Sequence, residues 1–557
     1  MKTGKERSVW ILVAALAAFF CLICVCVIGA GSAGYLFFSQ QEGRTTPSTA
    51  TIAVERPTPL PSMPKGTGEL RLAAPPPETL DPALAGDLDS AQYVNKLFSG
   101  LVSLDEELRV QPELAEGWEV SEDGRVYTFH LRRDARFHDG RPITAEDFRY
   151  SLERSCDPAT ESTVAEAYLG DIVGVRARLE GEAQAIRGVE VLDDYTLRLT
   201  TDEPKSYFLS KLTYSTAFAV DKQQAEGDPD WLRHPNGSGP FQLAGWTDDT
   251  LVLEPSPYYP GETPRIGRVV FHLAPTGSPM TMYETGELDA VLVPVDQIER
   301  VRDPANPLNR ELEVIPLLDT FYVGLNVNAP PFDDPKVRRA FALALNREGI
   351  VKVLLRGQVE MAQGILPPGM PGYNPNLEGI PYDPDQAREL LAQSRYGGAD
   401  QLPPVTLTTG GSGQMGEVLA EMWAGALGVE VQVEVPVDSM GTAWKEGRLQ
   451  MALLGWIADY PDPENFLDLL FHSRSAQNGT GYSNPEVDEL LEQARAEQDP
   501  GKRFRLYQRA EERIVMDVPW IPLYHDVNYL LVKPYVNGLT VTPQGLYDLR
   551  RVRVQAR

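Results

Sequence analysis

Gly455-Trp456-Ile457-Ala458-Asp459-Tyr460-Pro461-Asp462-Pro463 follows the short apolar run Met451-Ala452-Leu453-Leu454. The run reads as a strand, and the Pro-Asp-Pro turn stops it, because proline fixes φ and has no N–H to give to a ladder. Asp459 is therefore expected at the strand's end, where ligands bind in open α/β sheets. A carboxylate there, flanked by Trp456 and Tyr460, suits a cation on an otherwise apolar body, such as a peptide's α-ammonium. On these residues alone the competing reading is that Asp459 caps a turn and Trp456 is core, since Asp is common in turns.

The chain has 557 residues, enough for a large core and for three or four domains. Its net charge of −28 and pI near 4.7 argue against nucleic-acid binding as the main task. Lys2, Lys5 and Arg7, in a basic flank over residues 1–8, precede an apolar stretch over 9–38 that is long enough to span a bilayer. The positive flank is expected on the cytoplasmic side and the rest of the protein outside. Gly29-Ala30-Gly31-Ser32-Ala33-Gly34 is small enough for a signal-peptidase cut, but Tyr35-Leu36-Phe37-Phe38 prolongs the apolar stretch, which favours an uncleaved anchor. Cys21, Cys24 and Cys26 lie inside that stretch after large residues, so a lipid-modified cysteine is disfavoured. Cys156 alone lies beyond it, and no internal disulfide can form there; it reads as a small buried hydrophobe. Residues 39–65, with Pro47, Pro57, Pro59, Pro61 and Pro64, read as an extended tether.

Beyond the tether, strands and helices mix. Val126 to Leu131 alternates like a half-buried strand, and Val189 to Thr200 reads as a hairpin turning at Asp193-Asp194. Thr144-Ala145-Glu146-Asp147 resembles a capping box. Asp334-Pro335, Asp383-Pro384 and Asn484-Pro485 each pair an N-cap with proline at the first helical position. Val405 to Thr409 reads as a strand before Gly411-Ser412-Gly413-Gln414-Met415-Gly416, a helix over Glu417 to Leu427 and a second strand over Val429 to Val435. That is the outline of a dinucleotide fingerprint, so a nicotinamide-dependent oxidoreductase is one alternative. The other is a plain βαβ unit whose glycines only make the turn, and no catalytic partner set accompanies them.

No G-x-S-x-G, H-E-x-x-H or exported C-x-x-C occurs, and the six histidines show no metal-ligand spacing. The expectation is therefore a non-catalytic binder with no cofactor and no metal.

Further motifs share one order and spacing: Thr79-Leu80-Asp81-Pro82, Pro112 to Trp118, Tyr127 to Gly140, Thr144 to Phe148, Gly237-Ser238-Gly239-Pro240-Phe241, Pro331 to Arg338, and Pro519-Trp520-Ile521-Pro522-Leu523-Tyr524. With these the chain resembles the extracellular solute-binding proteins of peptide ABC importers, from about Glu69 to the C-terminus. The resemblance implies an α/β, two-lobe periplasmic-binding-protein-like fold of type II, with an extra domain on lobe one, preceded here by the membrane anchor. It places lobe one over 66–109, 236–320 and 518–557, the extra domain over 110–235 and lobe two over 321–517. It implies a monomer that captures short peptides and hands them to ABC permease subunits, or, on the same fold, a binder of an oligosaccharide, nickel chelate or opine.

The resemblance assigns Asp459 to the ligand's α-ammonium and Trp456 to a side-chain pocket, with Tyr460 alongside. By position Gly86, Asp87 and Leu88 pair with the ligand backbone as in β-augmentation, and Tyr524 lies near the cleft. Some oligopeptide binders carry an Arg three positions before the Trp, toward the ligand's carboxylate. Leu453 stands there in this chain, and Lys445 and Arg448 are the nearby cations.

Overall fold

The computed structural model describes residues 68–275, 277–411, 413–436 and 440–555. The expected anchor over 9–38 and tether over 39–65 lie outside them; among the described residues no helix is long and apolar enough to cross a membrane.

Alternation builds the first sheet. In Glu69–Ala73, Leu70 and Leu72 are fully buried while Glu69 and Arg71 face outward. The strand runs parallel to Arg268–His272, and Thr250–Pro255 and Phe241–Trp246 continue the sheet antiparallel. The helix Leu88–Leu97 covers it through Tyr93 and Val94, and the Asp87 side chain caps that helix by accepting from the Ser90 N–H at 2.7 Å. A second sheet, in the order Ala290–Leu292, Val527–Val532, Leu312–Pro316, is antiparallel throughout.

Six strands make the largest sheet, in the order Glu360–Met361, Trp520–His525, Asp319–Leu325, Met451–Ile457, Val405–Thr409, Val431–Glu434. The last two join by parallel pairing around the helix Gln414–Leu427, which begins three residues earlier than the expected helix. Gly413 takes φ +73° at the helix N-cap, and a Cβ on Gly416 would sit 3.0 Å from both Thr409 and Val433. Turn geometry and close helix–sheet packing thus account for both glycines without a cofactor. Trp423 on this helix is fully buried, and its indole N–H donates to the Phe341 carbonyl at 2.9 Å.

Four further strands, Ala115–Val120, Val126–Leu131, Thr196–Thr200 and Val189–Asp193, form a separate antiparallel sheet with its own core. The expected hairpin is present, as is the Thr144 capping box at the start of Ala145–Ser155. Cys156 is buried in that core as a free thiol, which burial pushes up to about 12.

The packing shows which core each segment joins. The strand Trp520–His525 pairs with Asp319–Leu325, and Val518, Trp520, Ile521 and Leu523 are buried in the core of the six-stranded sheet. Residues 518–525 and 319–320 therefore belong with 321–517, and the chain crosses between sheets at Leu317–Leu318 and at Asp526. The core of the separate four-stranded domain runs from Leu101 to Ala219, because Val102 packs into it while Val220 and Trp231 pack against the first sheet. The two crossings lie side by side: Leu317 N–H donates to the Asp526 carbonyl at 3.1 Å, and Asp526 N–H to the Asp319 carboxylate at 2.7 Å.

Trp423→Ala empties a large buried site and orphans the Phe341 carbonyl. It is expected to cost about 3–5 kcal/mol, read as a lower denaturation midpoint by circular dichroism; a loss under about 1 kcal/mol would contradict this packing.

Candidate ligand-binding site

The strand Met451–Ile457 is held along its length by Asp319–Leu325, with Trp456 opposite Thr320 and Ile457 opposite Asp319. It ends where expected. Ala458 N–H still donates to the Leu318 carbonyl at 2.8 Å, after which Pro461-Asp462-Pro463 turns the chain into the helix Glu464–Phe471. Asp459 sits in the bend between strand and helix.

Its geometry is set by Asn465, a fully buried amide in the first turn of that helix. Asn465 Oδ1 accepts from the Trp456 indole N–H and from the Asp459 backbone N–H, both at 3.1 Å, and its Nδ2 donates to Asp459 Oδ2 at 3.1 Å. Gln544 donates to the Asp459 carbonyl at 2.9 Å. Burial raises the Asp459 carboxyl above its ordinary range, against hydrogen bonds from Tyr168 and Asn465 and the charge of Lys445, which favour ionisation. Tyr168 comes from the separate four-stranded domain; it stacks on Tyr214 at 3.6 Å between centroids and meets Tyr460 edge-on at 6.1 Å.

Asp459 opens onto a cavity of about 470 Å³ that Gly86, Asp87, Leu88 and Tyr214 also line. The loop and the carboxylate, distant in sequence, are thus brought to one site. They meet at Gly545, where φ is +83°: an added Cβ would lie 3.3 Å from a Leu88 methyl and 3.5 Å from an Ile457 methyl.

The other expected residues do not line this cavity. Trp456 is half-buried, with its N–H spent on Asn465. Tyr460 is fully buried and donates its hydroxyl to Glu464, so it supports the turn from inside. Glu464 is pushed up to about 7 by burial, against the pull of Lys211, which reaches from the four-stranded domain to lie 3.3 Å from it and 2.9 Å from Asp171. Tyr524 stacks on Phe321 at 4.8 Å within the six-stranded sheet. Lys445 is exposed at the end of the helix Met440–Lys445, near enough to Asp459 to favour its ionised form. Arg448 is exposed and paired with Glu446 at 2.6 Å, so it is not a free cation for a ligand.

Residues 109–478 match the model of the bacterial extracellular solute-binding proteins, family 5. The chain belongs to this family. The periplasmic oligopeptide-binding protein OppA of Escherichia coli is 32% identical over 491 residues, covering 83% of this chain and 88% of OppA. Among solved structures, the murein tripeptide binding protein MppA of Escherichia coli superposes with a TM-score of 0.76 at 27% identity, over 89% of this chain and 100% of MppA. The binding protein DppA of Helicobacter pylori, in complex with the peptide STSA, superposes with a TM-score of 0.75 at 26% identity, over 88% of this chain and 99% of DppA. The architecture of this family-5 chain is thus the α/β solute-binding protein fold.

The raised Asp459 carboxyl has a consequence for stability. Its folded pKa lies above the unfolded value, so stability falls as pH rises from the ordinary carboxylate range through the folded pKa, and the ionised group is a cost at neutral pH. Asp459→Asn is expected to raise the melting temperature of the ligand-free protein at pH 7, with the gain shrinking toward pH 4. An equal gain at both pH values would show that charge is not its source.

Proposed function

We propose that this protein is a membrane-tethered receptor of type II, two-lobe architecture. In this reading it captures short peptides between its lobes as a monomer and delivers them to the permease subunits of an ABC importer. The observation that carries this reading is the desolvated Asp459 carboxylate facing the Gly86-Asp87-Leu88 loop across one cavity. A peptide's α-ammonium would restore to that carboxylate the partner that burial has removed, through charge-assisted hydrogen bonds. Backbone groups of the loop would add main-chain bonds that are blind to side chains. The apolar stretch over 9–38 and the proline-rich segment over 39–65 support the tether, with the binding domain on the extracellular or periplasmic side.

Calorimetric titration with trialanine and N-acetyl-trialanine tests the reading. Hydrogen bonds to charged groups contribute about 1.5–3 kcal/mol, so acetylation is expected to weaken binding by about ten- to a hundredfold, and Asp459→Asn should impose a similar loss. Equal binding of the free and acetylated peptides would sink the assignment of Asp459.

A further inference from the structure

The far end of the ligand lacks an assigned partner, since Leu453 replaces a cation, Arg448 is engaged by Glu446, and Lys445 lies toward Asp459 itself. The cavity extends in another direction. Leu88, Ala91 and Asn95 all line it, and their i, i+3, i+7 spacing lays one face of the helix Leu88–Leu97 along it for about two turns, or ~10 Å. Leu88 marks the end beside Ile457 and Asp459; Lys96 marks the other end.

Lys96 lines the same cavity and is only 5% exposed. Its ammonium has three donors, of which one goes to Gln92 Oε1 at 2.8 Å, a neutral amide oxygen that also accepts from Tyr547 N–H at 3.1 Å. Neighbouring acids are already matched. Asp548 takes Arg550 on both oxygens at 3.2 and 3.0 Å, and Glu113 Oε1 accepts from Ser99 at 2.7 Å and Tyr259 at 2.8 Å. Asp105 is held by Arg109 at 2.9 Å, and Glu106 by Arg551. Among the described residues no carboxylate pairs with Lys96. A buried ammonium without an ionic partner is costly. Its charge is correspondingly weakened: burial pushes it down to about 7, with Asp548 favouring the proton and Arg550 opposing it.

We infer that Lys96 is the carboxylate-binding residue of this cavity, receiving the C-terminus of a two- to four-residue peptide whose α-ammonium lies at Asp459. Reaching back to Gln92, the ammonium stands between one and two helical turns from Leu88, about 6–12 Å. An extended peptide advances about 3.3–3.6 Å per residue, so a di- to tetrapeptide spans that distance. Arg550 also lines the cavity, but its charge is taken up by Asp548, which leaves Lys96 as the cation without an ionic partner among the described lining residues. The site would therefore select zwitterionic short peptides and discriminate against blocked C-termini.

This inference rests on the peptide reading above, and the two can fail separately. Calorimetry with trialanine, trialanine amide and N-acetyl-trialanine is run on the full-length chain, and on Lys96→Met with Lys96→Gln as a second variant should the first not fold. On the unsubstituted protein, amidation is expected to weaken binding about ten- to a hundredfold. In the Lys96 variant, trialanine should bind as weakly as its amide while the acetylation penalty persists. Equal affinity for trialanine and its amide on the unsubstituted protein overturns the inference while leaving Asp459 intact. An amidation penalty that survives loss of Lys96 overturns it too. No binding of any of the three peptides overturns the peptide reading itself.

Discussion

A carboxyl group that has lost most of its water is the constraint around which this site is built. Asp459 can face a closed cavity only if fixed dipoles replace the solvent it gave up. The buried amide of Asn465 does this while also holding Trp456 and the Asp459 backbone, so one side chain couples the end of the strand Met451–Ile457 to the first turn of the helix Glu464–Phe471. The Pro461-Asp462-Pro463 turn is what brings that helix back within reach. Tyr168 completes the set from a different domain. The compensation is partial, since the carboxyl remains raised; under the proposed function the residual cost is what a ligand ammonium would relieve.

That cost also explains how the surroundings are organised. Glu464 lies one residue before Asn465, and it too is buried. Its partners are Lys211 from the four-stranded domain and the hydroxyl of Tyr460. The turn carrying Asp459 is therefore clamped by charge from outside its own sheet. Removing one member of such a buried set leaves the others uncompensated, a larger penalty than the set's net contribution. Position of the site and docking of the four-stranded domain are thus not independent.

Local signals in the sequence were enough for Asp459 but not for its partners. An apolar run stopped by two prolines announces a strand end and the residue at it, and the capping residues Thr144, Asp334, Asp383 and Asn484 announce helix starts for the same reason: each is decided within four residues. Adjacency in sequence says nothing about which side of a bend a ring takes, and Tyr460 turns inward to Glu464. Asn465 was invisible because its role depends on the path of the turn. Tyr168 and Lys96 come from elements hundreds of residues away, where no spacing reports proximity. The placement of residues near 518 is hidden in the same way, since Trp520–His525 reads as a strand in any sheet and only its register with Asp319–Leu325 says which.

The crossings give the final constraint. Among the described residues two segments, at Leu317–Leu318 and Asp526, connect the six-stranded sheet to its neighbour, and they are bonded to each other directly and through Asp319. Asp459 and Ile457 lie between these crossings, whereas Leu88 precedes both and Gly545 follows both, and Gly545 is one of the points where the two sides touch. A paired hinge of this kind permits rotation about one line while resisting shear, because sliding would break the Asp526–Asp319 and Leu317–Asp526 bonds together. Any opening that separates the Leu88 side from the Asp459 side would also break the contacts of Gln544 and Tyr168 with Asp459 and of Lys211 with Glu464. A ligand that bridges them stabilises the closed arrangement by its differential contacts with the two sides. A peptide held at both termini, one on each side of the crossing, makes the largest such difference for its size.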